Sequence, residues 1–100
     1  MSEVIKVPKM FEELLPNFLE DRIKLVNEMQ ELIKKNDYNE IKSLAHQIAG
    51  SAGSFGFHKT TDLASQIESC IDQKQLDELA TMITELKSSL VDVTTEIVED

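Results

Sequence analysis

Apolar residues recur along the chain with helical spacing. Leu19, Ile23, Val26, Met29 and Ile33 step by three or four and line one face of a helix predicted from Pro16 to about Asn36. Pro16 suits the first position of that helix. Asp37 with Glu40 three residues on forms a capping-box-like start for the next helix, whose stripe is Ile41, Leu44, Ala45, Ile48 and Ala52. A further helix is predicted to begin near Thr60-Thr61-Asp62, with Leu63, Ala64, Ile67 and Ile71 facing inward. After a short connection at Asp72 to Lys74, the last helix carries Leu76, Leu79, Ile83, Leu86, Leu90, Val93 and Ile97. Lys9 to Leu15 reads as a short N-terminal helix with Pro8 at its start. The breakers are few: Pro8, Pro16 and a cluster of Gly50, Gly53 and Gly56. Four long amphipathic helices with short joints predict an all-α fold, an up-down-up-down antiparallel four-helix bundle capped at one end by the short first helix. Phe11, Phe18, Phe55 and Phe57 lie near helix ends and are expected to plug the end of the core.

Composition narrows what such a bundle can do. One hundred residues, 41% of them hydrophobic, suit one domain spanning 1–100. The net charge of −9 repels phosphate backbones and anionic lipid, so nucleic acid and membrane surfaces are not expected partners. The apolar stretch within Met1 to Pro8 is too short for a secretory signal, and a cytoplasmic location is expected. Cys70 is alone, which excludes an internal disulfide and fits a reducing compartment. Its spacing from Ile67 and Ile71 suggests partial burial. Cys70, His46 and His58 cannot close a zinc site, and no Glu-x-x-His exists for a di-metal bundle, so no metal is expected. An acyl-carrier role needs a Ser after an Asp at a helix start, and no Asp-Ser pair occurs. A monomer is expected.

The informative residue is His46. At about 100° per residue it sits about 140° from the centre of its helix's apolar stripe, so it points to solvent. Lys42 one turn before, Gly50 one turn after and Gly53 two turns after share its side, with Ala49 on the margin. Two glycines inside a helix cost about 0.8–1.0 kcal/mol each relative to alanine. Facing away from the core, they are explained either by close approach of a partner to bare backbone or by the helix ending there in a turn. An exposed neutral imidazole can attack phosphorus and carry a phosphoryl group covalently.

The run Ala45-His46-Gln47-Ile48-Ala49-Gly50-Ser51-Ala52-Gly53-Ser54-Phe55-Gly56 resembles the signature of the histidine phosphotransfer (HPt) domain family, through the spacing of His46, Gly50 and Gly56. Leu63-Ala64 and Ile67-Glu68 sit where that family has apolar pairs and Leu-Glu, and the likeness spans about Phe11 to Leu90. The resemblance implies a four-helix bundle whose exposed histidine accepts a phosphoryl group from one receiver-domain aspartate and passes it to another, without kinase activity of its own. It implies that His46 is the phospho-acceptor and that Gly50 clears space beside it. The expected partners are response-regulator receiver domains and a hybrid sensor kinase. No cofactor is expected on this chain, and Mg is expected on the partner receiver domain.

One position departs from the family pattern. Ala49 stands where the family usually places a lysine that neutralises phosphate charge. Lys42 or Lys59 could take over that role. Gln66 and Glu68 are candidates to hold the other ring nitrogen of His46, and Ala49 and Gly53 belong to the expected docking face. Two functions follow: a phosphorelay intermediate, or an HPt-like docking module that binds a receiver domain or kinase without turnover.

Overall fold

A computed structural model describes residues 3–99; residues 1, 2 and 100 of the expected 1–100 domain lie outside the described residues. Its elements run β1 (Glu3–Pro8), a 3-10 helix (Lys9–Leu14), α1 (Leu15–Lys34), α2 (Tyr38–Ala52), a 3-10 turn (Gly53–Phe55), α3 (His58–Asp72), α4 (Leu79–Val91) and β2 (Val93–Val98). The chain is mostly helical, as its spacing predicts. Each joint has a visible local cause. Pro16 occupies the first turn of α1, where a missing N–H is harmless. Asn36 takes the left-handed conformation after α1. Asp37 then caps α2 by accepting a hydrogen bond from the Glu40 amide at 3.3 Å, a contact of about 1 kcal/mol.

The α-helices close a ring in which α1 and α3 each pack against both α2 and α4. Side-chain pairings record the register. Along α2 and into the turn that follows it, Lys42, His46 and Gly53 meet Asp72, Glu68 and Thr61 of α3, so partner numbers fall as these numbers rise. Between α1 and the end of α2 the pairs are Phe18 with Phe55 and Arg22 with Ser51. The core is apolar, with Val26, Met29, Ile41, Ile48, Ile67, Leu79, Ile83 and Leu86 fully buried. One polar pair interrupts it: the Thr60 and Ser89 hydroxyls lie 2.7 Å apart between α3 and α4, and Ser89 also donates to the Leu86 carbonyl. At one end Phe18 stacks on Phe55 with centroids 4.1 Å apart, Phe11 packs on Phe55 at 4.7 Å, and Phe57 is fully buried beside Phe18.

Three expectations need correction. The fold is not all-α, because β1 and β2 form a two-stranded parallel sheet with Ile5 opposite Thr95 and Val7 opposite Ile97. The last helix, expected to begin at Leu76 and to reach Ile97, instead starts at Leu79 and stops at Val91. A spacing of four is one helical turn and also two strand repeats, so Val93 and Ile97 satisfy both patterns. The run Val93-Thr94-Thr95-Glu96-Ile97-Val98 is mostly β-branched, and the strand prevails because Ile5 and Val7 of β1 are buried against the bundle and offer it a partner. The segment expected to form a short helix over Lys9 to Leu15 is a 3-10 helix. Gly56 adopts φ +91° where β1 crosses: a Cβ there would collide with the Lys6 carbonyl oxygen.

Candidate functional site

The exposed stripe of α2 carries the candidate chemistry. The helix does not end at the first two glycines. Gly50 lies inside α2, and Gly53 continues with helical dihedrals (φ −60°, ψ −36°) into the 3-10 turn that Gly56 terminates. His46 therefore stands on a continuous helix, and its side chain is 80% exposed.

The ring is not loose. Its Nδ1 lies 3.2 Å from Glu68 Oε2 on α3, and the Glu68 side chain is only 21% exposed. An ionised carboxylate accepts, so Nδ1 carries the proton in the neutral ring and the lone pair resides on Nε2. Nε2 makes no hydrogen bond among the described residues. The arrangement presents a nucleophilic nitrogen to solvent and holds the opposite one. Glu68, not Gln66, meets the ring because the two side chains are two residues apart on α3 and point about 160° from one another. Gln66 instead lines a groove with Cys70, Met82 and Glu85 on the α4 side.

The candidate cations separate in the same way. Lys42 shares a shallow depression with Asn39, Ser43, His46, Gln47 and Glu68. Its ammonium donates to Asp72 at the end of α3, and that hydrogen bond, with the Asp72 charge, raises its pKa above the ordinary lysine value. Lys59 lines a groove with Thr84, Glu85 and Ser88 of α4. It lies nine residues from Glu68, about 180° around α3, and is not brought to His46.

The small residues divide three ways. A Cβ on Gly50 would meet nothing within 4 Å, so this glycine leaves open space beside the histidine. Gly53 is half-buried and faces α3, where a Cβ would make an ordinary contact 3.4 Å from Thr61 Oγ1, so it belongs to the α3 side more than to an outer face. Ala49 is half-buried and packs against the core at the margin of the stripe. Arg22 and Asp72 are the neighbours sequence reading missed. Arg22 donates to Ser51 Oγ at 2.9 Å while its guanidinium lies over the Phe18 ring. Asp72 could have been found by assuming that α2 and α3 pair in opposite directions across a short joint, which sets residue 72 beside 42 once 68 is beside 46.

Among the described residues no group of three metal-ligating side chains occurs, and no helix is long and apolar enough to cross a membrane. Comparison with curated proteins and with solved structures finds no match. A family model, the Hpt domain, matches residues 13–95, a span that includes α1 to α4, His46 and Glu68 and leaves β1 outside. The chain belongs to the Hpt domain family, which implies histidine phosphotransfer in phosphorelays in company with receiver domains and kinases.

Proposed function

We propose that this protein is a phosphorelay intermediate in which His46 receives a phosphoryl group from the aspartate of one receiver domain and delivers it to another. The observation that carries the reading is the His46 ring, exposed on a continuous helix with Nδ1 on Glu68 and Nε2 open. The step balances simply. The Nε2 lone pair attacks the phosphorus of an aspartyl phosphate, an N–P bond forms, the P–O bond to the carboxyl breaks, and the aspartate leaves as a carboxylate. Nδ1 keeps its proton throughout, hydrogen-bonded to the Glu68 carboxylate, whose charge offsets the positive charge that develops on the ring. The return step is the reverse attack by a second carboxylate. Mg and in-line geometry come from the receiver domain, since phosphoryl transfer depends mainly on positioning and charge neutralisation. This chain needs no cofactor of its own.

Gly50 lets the receiver approach the backbone beside His46, and Ala49 borders the docking face. Lys42 is the cation available to a phosphoryl group on His46, provided that it leaves Asp72. The receiver and hybrid-kinase partners, the cytoplasmic location and the up-down-up-down antiparallel arrangement are parts of the same reading, the last supported by the opposed numbering of the helix pairings.

A specific observation also supports a second reading, docking without turnover: Ala49 brings no charge, and the Lys42 ammonium is engaged by Asp72. One assay separates them. Mixed with a radiolabelled phospho-receiver, the protein is expected to acquire acid-labile, alkali-stable label that His46→Gln abolishes. Binding without label across several receivers would establish the docking module. Label persisting in His46→Gln would place the chemistry elsewhere.

A further inference from the structure

The sheet that sequence periodicity did not foretell has one unfinished edge. A parallel pair of strands is rarely left with an open face, and two strands alone are marginal. Here the inner face is filled: Ile5 and Val7 are buried, and Val93 and Ile97 pack on the core. The two edges differ. The turn at Gly56 lies against the Lys6 carbonyl of β1, and β1 ends in Pro8, which has no N–H. Among the described residues no backbone hydrogen bond from outside the sheet reaches the outward groups of either strand, so the difference lies in the Gly56 turn and the proline that guard β1. β2 is six residues long, contains no proline or bulge, and has β-branched residues at Val93, Thr94, Thr95, Ile97 and Val98. Such an edge is a template for one more strand.

The sequence of β2 selects which strand. We infer that β2 pairs with β2 of a second copy, antiparallel about a two-fold axis through Thr95, to make a four-stranded sheet. An isologous edge must be complementary to itself, and the side-chain alternation must be kept so that inner faces remain inner. Centred on Thr95, the pairing sets Val93 opposite Ile97 of the second copy and Thr94 opposite Glu96, with Asp92, just before the strand, across from Val98. No like charges meet, and the two inward apolar residues face one another. Moving the axis by one residue in either direction breaks this: centring on Glu96 sets the two Glu96 carboxylates together, and centring on Thr94 opposes Asp92 and Glu96. His46 precedes Gly56 by ten residues, about 15 Å along the helix, so the paired sheet leaves it accessible. The expected monomer then becomes the dilute, low-salt form, because each copy carries −9.

Sedimentation equilibrium of the full chain tests this. A monomer–dimer equilibrium is expected with Kd between about 10 µM and about 1 mM, tightening as salt rises. Thr94 is exposed on the outward face, and its contact with Glu96 occurs twice in the dimer. Thr94→Glu is therefore expected to raise Kd about fivefold and Thr94→Lys to lower it about fivefold, with circular dichroism unchanged. Slower amide exchange in β2 at high protein concentration is the matching local signal. A monomer throughout this range at high salt, or two variants that shift Kd together or not at all, would overturn the pairing. So would variants that alter binding to a receiver domain while self-association stays constant, since the edge would then belong to a different partner.

Discussion

Gly50 is the position where stability and function are expected to move in opposite directions. It lies inside α2, has helical dihedrals, and faces open space: an added Cβ finds nothing within 4 Å. Nothing within the fold requires a glycine there. Gly50→Ala is then expected to stabilise the protein by about 0.8–1.0 kcal/mol through helix propensity alone. For a domain of this size that corresponds to a rise in Tm of about 4–8 °C. Gly50→Gln, also a better helix former, is expected to be at least as stable as the native chain. Its side chain projects beside His46, where a receiver domain must come close. An intrusion of that size in a packed contact costs about 1–3 kcal/mol, or about 5- to 150-fold in transfer rate. Thermal unfolding measures one arm, and single-turnover transfer from a phospho-receiver measures the other. Gly56→Ala is the control: with φ +91° and the Lys6 carbonyl in the way, it is expected to lose more than about 1 kcal/mol of stability. A Gly50→Ala protein less stable than the native chain, or a Gly50→Gln protein that transfers at the native rate, would overturn this role for Gly50.

Three other outcomes follow from the same geometry. Glu68→Ala, by releasing Nδ1, is expected to slow transfer about tenfold in the same kinetics, whereas Glu68→Gln, which keeps an oxygen to accept from Nδ1–H, stays within about threefold. Val7→Ala, at a fully buried strand position, is expected to cost about 2 kcal/mol in denaturant unfolding; a loss below about 0.5 kcal/mol would mean that β1 is not docked. The Lys42 pKa lies above the ordinary value because of Asp72, so the stabilisation from this pair is complete below the unfolded lysine pKa and disappears as pH rises through the folded one. An NMR titration of Lys42 should show the raised value, and Asp72→Asn should return it toward about 10.4.

Much of the fold was legible because helices write their pattern locally. Asp37 and Glu40 announced a cap, Asn36 a break, and the stripe from Ile41 to Ala52 a buried face that forces His46 outward. The sheet was hidden for two physical reasons. Val93 and Ile97 fit a helix and a strand equally well, and the partner that decides between them lies at the other end of the chain. At the candidate site, position along α3 could be read but direction only in part. Treating Gln66 and Glu68 as equivalent overlooked that residues two apart on a helix face opposite ways, and Lys59 was subject to the same rule. Gly50, Gly53 and Gly56 looked alike in sequence, yet one leaves room, one faces α3 where a Cβ would fit in ordinary contact, and one takes a left-handed turn under β1.

With Glu68 on Nδ1, only Nε2 of His46 is offered to phosphorus. Phosphorylating the 15N-labelled protein from a phospho-receiver and recording long-range proton–nitrogen correlations of the imidazole rings reads this directly. One phosphorylated ring is expected, that of His46, bonded to phosphorus at Nε2 with the proton kept on Nδ1. Phosphorus on Nδ1, or on the His58 ring, would contradict it.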